Sequence, residues 1–327
     1  MRDIEAKRVV VKIGTNTICR GDGTVDQTYL EDVAMKQACA AVGQAILMMA
    51  CRDAFRKYGM KVGQVLLTYG AFSDRARYID LRKAIDEMFR LGVVPVFNEN
   101  DVIATDEIEE IFGDNDKLSA LVASKMDADL LILLTDVDGL YDRNPEADRD
   151  AKLIPVVDEI TKDIERIAGT RKNSRSTGGM RTKINAAKVA MDSGCSMVVA
   201  NGQVTDVIVR VATGEELGTL FSPHASYTNR ERWIIFACPR GKLVVDEGAE
   251  AALRAGNSLL PCGIAEVEGK FKKGDIVRIN SFAKGVVNLS SAEIASLVKA
   301  CQMEKAAGNR NGNGKAVVSS ENIVLHE

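Results

Sequence analysis

The chain has 327 residues, of which 46% are apolar and 27% charged, and its net charge is −3. Such a length suggests two domains, since single cores rarely grow past about 250–300 residues, and the slight negative charge argues against a chain built mainly to bind nucleic acid. No unbroken apolar run approaches the roughly 18 residues of a membrane span, the start does not read as a signal peptide, and a cytoplasmic location is expected.

Two histidines, His224 and His326, argue against a histidine-based mechanism or metal site. Seven scattered cysteines without a C-x-x-C pair favour free thiols over disulfides or zinc.

Arg8 to Gly14 reads as a buried strand with Lys12 near its carboxyl end. Gly14 and the following Thr15-Asn16-Thr17 allow a backbone to approach a ligand, so Lys12 is a candidate phosphate contact; otherwise it is a surface lysine at a strand end. From Asp26 to about Tyr58 the pattern is helical throughout. That is too long for one ordinary globular helix, and two helices meeting near Ala34-Met35 are predicted. Val62 to Thr68 reads as a strand, Tyr78 to Leu91 as an amphipathic helix, and Val93 to Phe97 as another buried strand.

That last strand runs into Asn98-Glu99-Asn100-Asp101 and on to Ile108, then into Gly113-Asp114-Asn115-Asp116, which opens a helix. Amides and carboxylates packed this densely after a core strand suit a small polar ligand, because open α/β sheets bind ligands beyond the carboxyl ends of their strands. The helix from Asp116 places Leu118, Leu121 and Val122 on one face. Leu130 to Leu134 is wholly apolar, as in a strand covered on both faces, and ends in Thr135-Asp136. A basic loop, Arg171 to Gly179, precedes the helix that begins Met180-Arg181-Thr182-Lys183, and Met197 to Ala200 is a further strand.

Strands alternating with helices predict a three-layer αβα sandwich with a mainly parallel sheet over residues 1–225. A polar linker, Ser222 to Arg232, separates it from a small β-barrel-like domain over 232–327. In that domain Trp233–Phe236, Lys242–Val245, Ile276–Ile279 and Ala316–Val318 read as strands and Glu250–Ala255 as a helix. Residues 306–314 are too poor in apolar groups to pack and read as a flexible loop.

If a carboxylate is to attack a phosphate, two like charges about 3.5 Å apart repel by roughly 5 kcal/mol at an effective dielectric of 20. Positive charge must offset that, and phosphoryl transfer depends mostly on positioning and electrostatic stabilisation. Lys12 and Lys183, each beside glycines in separate loops, are the candidates. A carboxylate is already ionised at neutral pH, so no general base is needed. Thr177, Gly178, Gly179, Met180, Arg181, Thr182 and Lys183 place small residues at a helix amino terminus, which favours phosphate; the competing reading is a glycine turn capping a core helix. Thr135 and Asp136 suit either a nucleotide contact or a turn. Asp116 suits an orienting role for the two lysines or a helix cap. Neither a Walker A loop nor a G-x-G-x-x-G is present.

With these motifs in view, the chain resembles the amino acid kinase family, and within it the members that phosphorylate the glutamate γ-carboxylate and carry a C-terminal PUA domain. The resemblance rests on N-E-N-D-x-x-A-T-D-E-I followed by G-D-N-D-x-L-S-A, on T-D-x-x-G-L-Y and T-G-G-M-x-T-K, and on the first strand V-V-K-I-G-T. It implies ATP and Mg2+ as cofactors, with Lys12 and Lys183 on the ATP phosphates and Asp116 holding the lysines. It further implies that Thr135, Asp136 and Thr177 to Lys183 contact the nucleotide, and that Asp101 and Asn115 bind L-glutamate. The product would be γ-glutamyl phosphate, passed to a reductase in the first steps of proline synthesis. Proline would inhibit at the glutamate site, and a homo-oligomer is implied.

The resemblance breaks at one place. Tyr29 to Ala34 passes straight into Met35 to Gln44, whereas the family has a strand and a T-S-G-A-I-A-A-G-like loop between the corresponding helices. The site is expected to lack one wall and the sheet one strand, with weak or no kinase activity. Two alternatives stay open: another amino acid kinase, such as an acetylglutamate or uridylate kinase, and an inactive homologue that binds RNA or a partner through its C-terminal domain, with Lys270, Lys272, Lys273 and Arg278 as its basic face.

Overall fold

The computed structural model describes residues 1–4, 6–13, 33–68, 72, 74–103, 115–145, 148–169, 179–224, 227–306 and 315–326. They fall into two compact units, one of Met1–Ala71 with Ile79–Tyr227 and one of Phe72–Tyr78 with Thr228–Glu327. The segments around Gly14 to Thr17, Ala104 to Asp114 and Arg171 to Gly178, and the glycine-rich 307–314, lie outside the described residues.

The first unit runs β1 (Val9–Ile13), α1 (Val33–Arg56), β2 (Lys61–Leu67), α2 (Arg75–Arg90), β3 (Val93–Glu99), α3 (Asn115–Lys125), β4 (Leu130–Thr135) and β5 (Val156–Val157). It continues through α4 (Lys162–Gly169), α5 (Met180–Asp192), β6 (Ser196–Asn201), α6 (Val207–Ala212) and β7 (Thr219–Phe221). Five strands form one sheet in the order β1-β4-β6-β7-β5. β1, β4 and β6 are parallel, with Val9 beside Leu130 and Leu130 beside Ser196 at one end of the register, and β7 runs antiparallel to β6.

The layering follows from side-chain alternation along β4. Leu131 and Leu133 join one core with Ala120 and Ala123 of α3 and Ile184, Ala187 and Met191 of α5. Leu130, Ile132 and Leu134 join another with Val207 and Val211 of α6. A strand that buries both faces needs no polar alternation, which is why its sequence is unbroken aliphatic. The expected αβα sandwich with a mainly parallel sheet is therefore present.

Two features depart from a continuous sheet. Among the described residues β1 pairs with β4 alone, while β2 and β3 stand apart as a separate parallel pair. Helix α3 packs against β1, β3 and β4, so one helix spans two sheets that share no hydrogen bonds. Helix α1 is a single element of 24 residues beginning at Val33. Ala34-Met35 lie in the first described turn of this helix, and the residues from Asp26 to Asp32, where the other predicted helix falls, lie outside the described residues. The α1 stretch Gln37–Arg56 is long and apolar enough to cross a membrane by length and composition, and none of it is buried. Alanines, methionines and cysteines, with Val42, Ile46 and Leu47, carry its apolar character.

The second unit contains α7 (Asn229–Ile235), β8 (Gly241–Val245), α8 (Glu247–Arg254), β9 (Ile264–Gly269), β10 (Ile276–Ile279), β11 (Ala283–Val286), α9 (Ser291–Ala306) and β12 (Ile323–Leu325). Its sheet has the order β12-β11-β10-β8-β9 around a core that includes Leu243, Phe271, Val277, Ile279, Ile294 and Val317. Three expectations are corrected here. Trp233-Ile234-Ile235 is helical, because Thr228 and Glu231 form a capping box that starts a helix inside the supposed linker. The segment Ala316–Val318 contributes one bridge, Val318 to Leu259, instead of a strand. Helix α9 was not foreseen.

Candidate active site

Lys12 is the fourth residue of β1, one short of its carboxyl end, and Asp116 is the second residue of α3. Lys183 lies in the first turn of α5. The fold brings the three together. Lys12 Nζ is 2.5 Å from Asp116 Oδ1 and Lys183 Nζ is 3.0 Å from Oδ2. Thr182 Oγ1 donates a further hydrogen bond of 3.0 Å to Oδ2. Asp116 is fully buried and Lys183 nearly so, while Lys12 keeps some access to solvent.

Burial alone pushes the Asp116 carboxyl up. Lys183 and Lys12 outweigh it and hold the group below the ordinary carboxylate range. Asp116 is therefore ionised at neutral pH and does not act as a proton acceptor. Two ammonium groups facing one carboxylate leave one positive charge in excess, and that excess suits an anionic ligand. A unit charge 4 Å from an anion contributes about 4 kcal/mol of attraction at an effective dielectric of 20.

Gly179 is the N-cap of α5 and makes no side-chain cap. A Cβ built on it would meet nothing within 4 Å, so the backbone there faces open space. Met180 is buried and anchors the helix start, while Arg181 is exposed. Thr182 also donates to Gly179 O at 2.7 Å, tying the first turn to the Asp116 cluster. Thr177 and Gly178 lie outside the described residues.

Thr135 ends β4, is buried, and donates to Asp136 Oδ1 at 3.1 Å. Asp136 is exposed. The turn that follows is braced from a distance: Asn201 Nδ2 donates to Asp138 Oδ1 at 2.9 Å and Leu140 N donates to Thr219 Oγ1 at 2.8 Å. Gly139 is required at this approach, since a Cβ there would lie 2.6 Å from Thr219 Oγ1. No local sequence signal marks Asn201 or Thr219 as supports of this loop, because each is separated from it by 63 residues or more. Thr182 was foreseen as a nucleotide contact, but its bond to Asp116 was not; its place beside Lys183 was the available signal.

Asp101 follows β3 in a half-buried turn, where burial pushes its carboxyl above the ordinary range, an effect its own backbone hydrogen bond only partly offsets. Asn100 N donates to Leu67 O at 2.8 Å and holds this turn against the end of β2. Asn115 is the exposed first residue of α3, next to Asp116. Among the described residues no group of three or more histidine, cysteine, aspartate or glutamate side chains converges as a metal site.

Comparison with known proteins adds sequence-wide context to this geometry. A model of the amino acid kinase family matches residues 23–201, and a model of the PUA domain matches residues 241–306. The glutamate 5-kinase of Methanosarcina mazei is 50% identical over 303 residues, covering 90% of this chain and 78% of the relative. The glutamate 5-kinase of Methanococcoides burtonii is 43% identical over 367 residues, covering 98% of this chain and 97% of the relative. That match is longer than the 327-residue chain itself, so dozens of the relative's residues have no counterpart here. Among solved structures, the UMP kinase of Bacillus anthracis matches with a TM-score of 0.43 and 17% identity, covering 63% of this chain and 76% of that one.

Proposed function

The chain belongs to the amino acid kinase family, and we propose that it phosphorylates the γ-carboxylate of L-glutamate with ATP, the first step of proline biosynthesis. Relatives named glutamate 5-kinase at 43–50% identity across most of the chain support this reading. The observation that carries it is Asp116 clamped between Lys12 and Lys183 beside the open amino terminus of α5.

In the reaction a γ-carboxylate oxygen of glutamate forms a bond to the γ-phosphorus of ATP. The bond from that phosphorus to the bridging oxygen breaks, and its electron pair leaves with ADP. No proton moves, because the nucleophile is already ionised. Lys12 and Lys183 offset the repulsion between the two anions. Asp116 fixes both ammonium groups in place and, kept ionised by them, stays out of the chemistry. Gly179 leaves the first N–H groups of α5 open to a phosphate oxygen. Thr135 and Asp136, on the braced turn after β4, are assigned to the nucleotide with Thr177 to Lys183, and Asp101 and Asn115 to glutamate.

Both Asp116 oxygens face lysines and no carboxylate cage is present among the described residues. Mg2+, which neutralises phosphate charge when bound, would accordingly be held by the ATP phosphates with few protein ligands, as is usual for this ion. γ-Glutamyl phosphate is a labile mixed anhydride and needs a reductase as its consumer. We place proline, as an inhibitor, at the same Asp101 and Asn115 site, and expect a homo-oligomer.

A specific observation also favours slow turnover. Among the described residues β1 and the β2–β3 pair lie in separate sheets, and a relative carries dozens of residues absent here. A missing strand and loop at that place removes one wall of the glutamate site while leaving the lysine cluster intact. Glutamate-dependent release of ADP, with hydroxylamine trapping of the acyl phosphate, tests both points. Release that does not depend on glutamate would overturn the assignment.

A further inference from the structure

The second unit holds two cysteines that the proposed reaction does not use. Cys262 is the middle residue of the 3-10 turn Pro261–Gly263, just before β9, and Cys301 lies on α9. Their sulfurs are 2.7 Å apart across 39 residues of sequence. We propose that Cys262 and Cys301 form a redox-active dithiol, a modification site at which a low-molecular-weight disulfide is reduced and the two side chains become joined.

Both sulfurs sit on fixed supports. Ile294, Val298 and Cys301 follow one another at helical spacing, and the first two are buried in the core of the unit. The turn carrying Cys262 opens on the buried Pro261. Gly263 packs so tightly that an added Cβ would lie 2.5 Å from Ala249 Cβ. Neither support has room to drift, so the sulfurs meet without a search. A disulfide bond is about 2.0 Å long, and the sulfurs already stand 2.7 Å apart.

The pair is also reachable. Both cysteines are half-buried and line a cavity of about 140 Å3 together with Asp246, Val298 and Gln302. Cys195, by contrast, is fully buried among the core residues of the first unit. The exchange balances in two steps. One thiolate attacks the small disulfide RSSR, forming a mixed disulfide and expelling RS−. The second thiolate attacks the protein sulfur of that mixed disulfide and expels the other RS−. Two protein thiols lose two electrons and two protons, and RSSR leaves as two RSH.

The full chain, incubated with oxidised glutathione, alkylated with N-ethylmaleimide and digested, tests the proposal. The expected result is a peptide pair linked through Cys262 and Cys301, with the other five of the seven cysteines alkylated and the link removed by dithiothreitol. In Cys262→Ser, Cys301 should stop at a stable glutathione adduct, because its resolving partner is gone. A loop of this length should also raise the melting temperature of the oxidised C-terminal unit by roughly 10 °C. Alkylation of both cysteines, stable glutathione on both in the unsubstituted chain, or linkage to any other cysteine would overturn it. The unsubstituted chain carries the decisive readout, so a misfolded variant does not blunt the test.

Discussion

At the scale of single residues, the Asp116 cluster makes a signed prediction. Asp116→Asn removes the only anion between two ammonium groups that the structure shows touching it. Breaking a buried pair on one side costs about 3–5 kcal/mol, and catalysis should fall by roughly a hundredfold or more, on the order of losing one preorganised electrostatic contact. The folded carboxyl lies below its unfolded value of 3.8, so its contribution to stability is complete above that pH and fades as pH falls through the folded value. Denaturation of the two proteins should therefore differ by a constant amount near neutrality and converge in acid.

Asp101 predicts the opposite sign. Burial raises its carboxyl, so the ionised form costs stability at neutral pH, and the cost disappears as pH falls below the unfolded value. Asp101→Asn should melt at a higher temperature than the parent at pH 7 yet show a raised KM for glutamate. A lower melting temperature with unchanged KM would remove Asp101 from the binding site. These residues were legible in the sequence because their motifs are dense in polar groups beside apolar strands. Which Asp116 oxygen meets which lysine, and that Thr182 joins them, was not, since that depends on how α3 and α5 pack.

At the scale of elements, the aliphatic strands read correctly because burial on both faces demands uninterrupted apolar sequence. Two helices of the second unit did not. Trp233-Ile234-Ile235-Phe236 has the bulky, β-branched texture of a strand, and its helix is imposed from outside by the Thr228 and Glu231 capping box. Helix α9 begins with a similar device, Ser290 and Glu293, and turns Ile294 and Val298 into the core. In α7 local propensity lost to capping; in α9 the composition favours a helix and the cap fixes its start. Thr228→Ala should destabilise the C-terminal unit by about 1 kcal/mol, measured by chemical denaturation. No change would mean that tertiary packing alone holds α7.

At the scale of the whole molecule, the departure from the family pattern at Ala34-Met35 falls at the start of the described part of α1. An intact sheet would hide its strand edges and the apolar face of the neighbouring helix. Here β1 and the β2–β3 pair are separate among the described residues, and Val42, Ile46 and Met49 of α1 are 66%, 64% and 56% exposed. The expectation of a missing strand and loop came from comparison with the family pattern at Ala34-Met35. That the described strands fall into two groups, both contacted by α3, was not readable, because pairing depends on how the chain packs. The lysine cluster lies on β1, α3 and α5, all of which remain, so binding of ATP phosphates should survive where glutamate positioning suffers.

The most direct test is glutamate-dependent ADP release by this chain, measured beside a version in which a strand and a T-S-G-A-I-A-A-G-like loop of the family pattern are inserted between Ala34 and Met35. Slow glutamate-dependent release by the parent, with kcat/KM for glutamate raised at least about tenfold by the insertion as the site regains its positioning wall, is the expected result. Equal kcat/KM in the two proteins, or no glutamate-dependent release from either, would contradict the account.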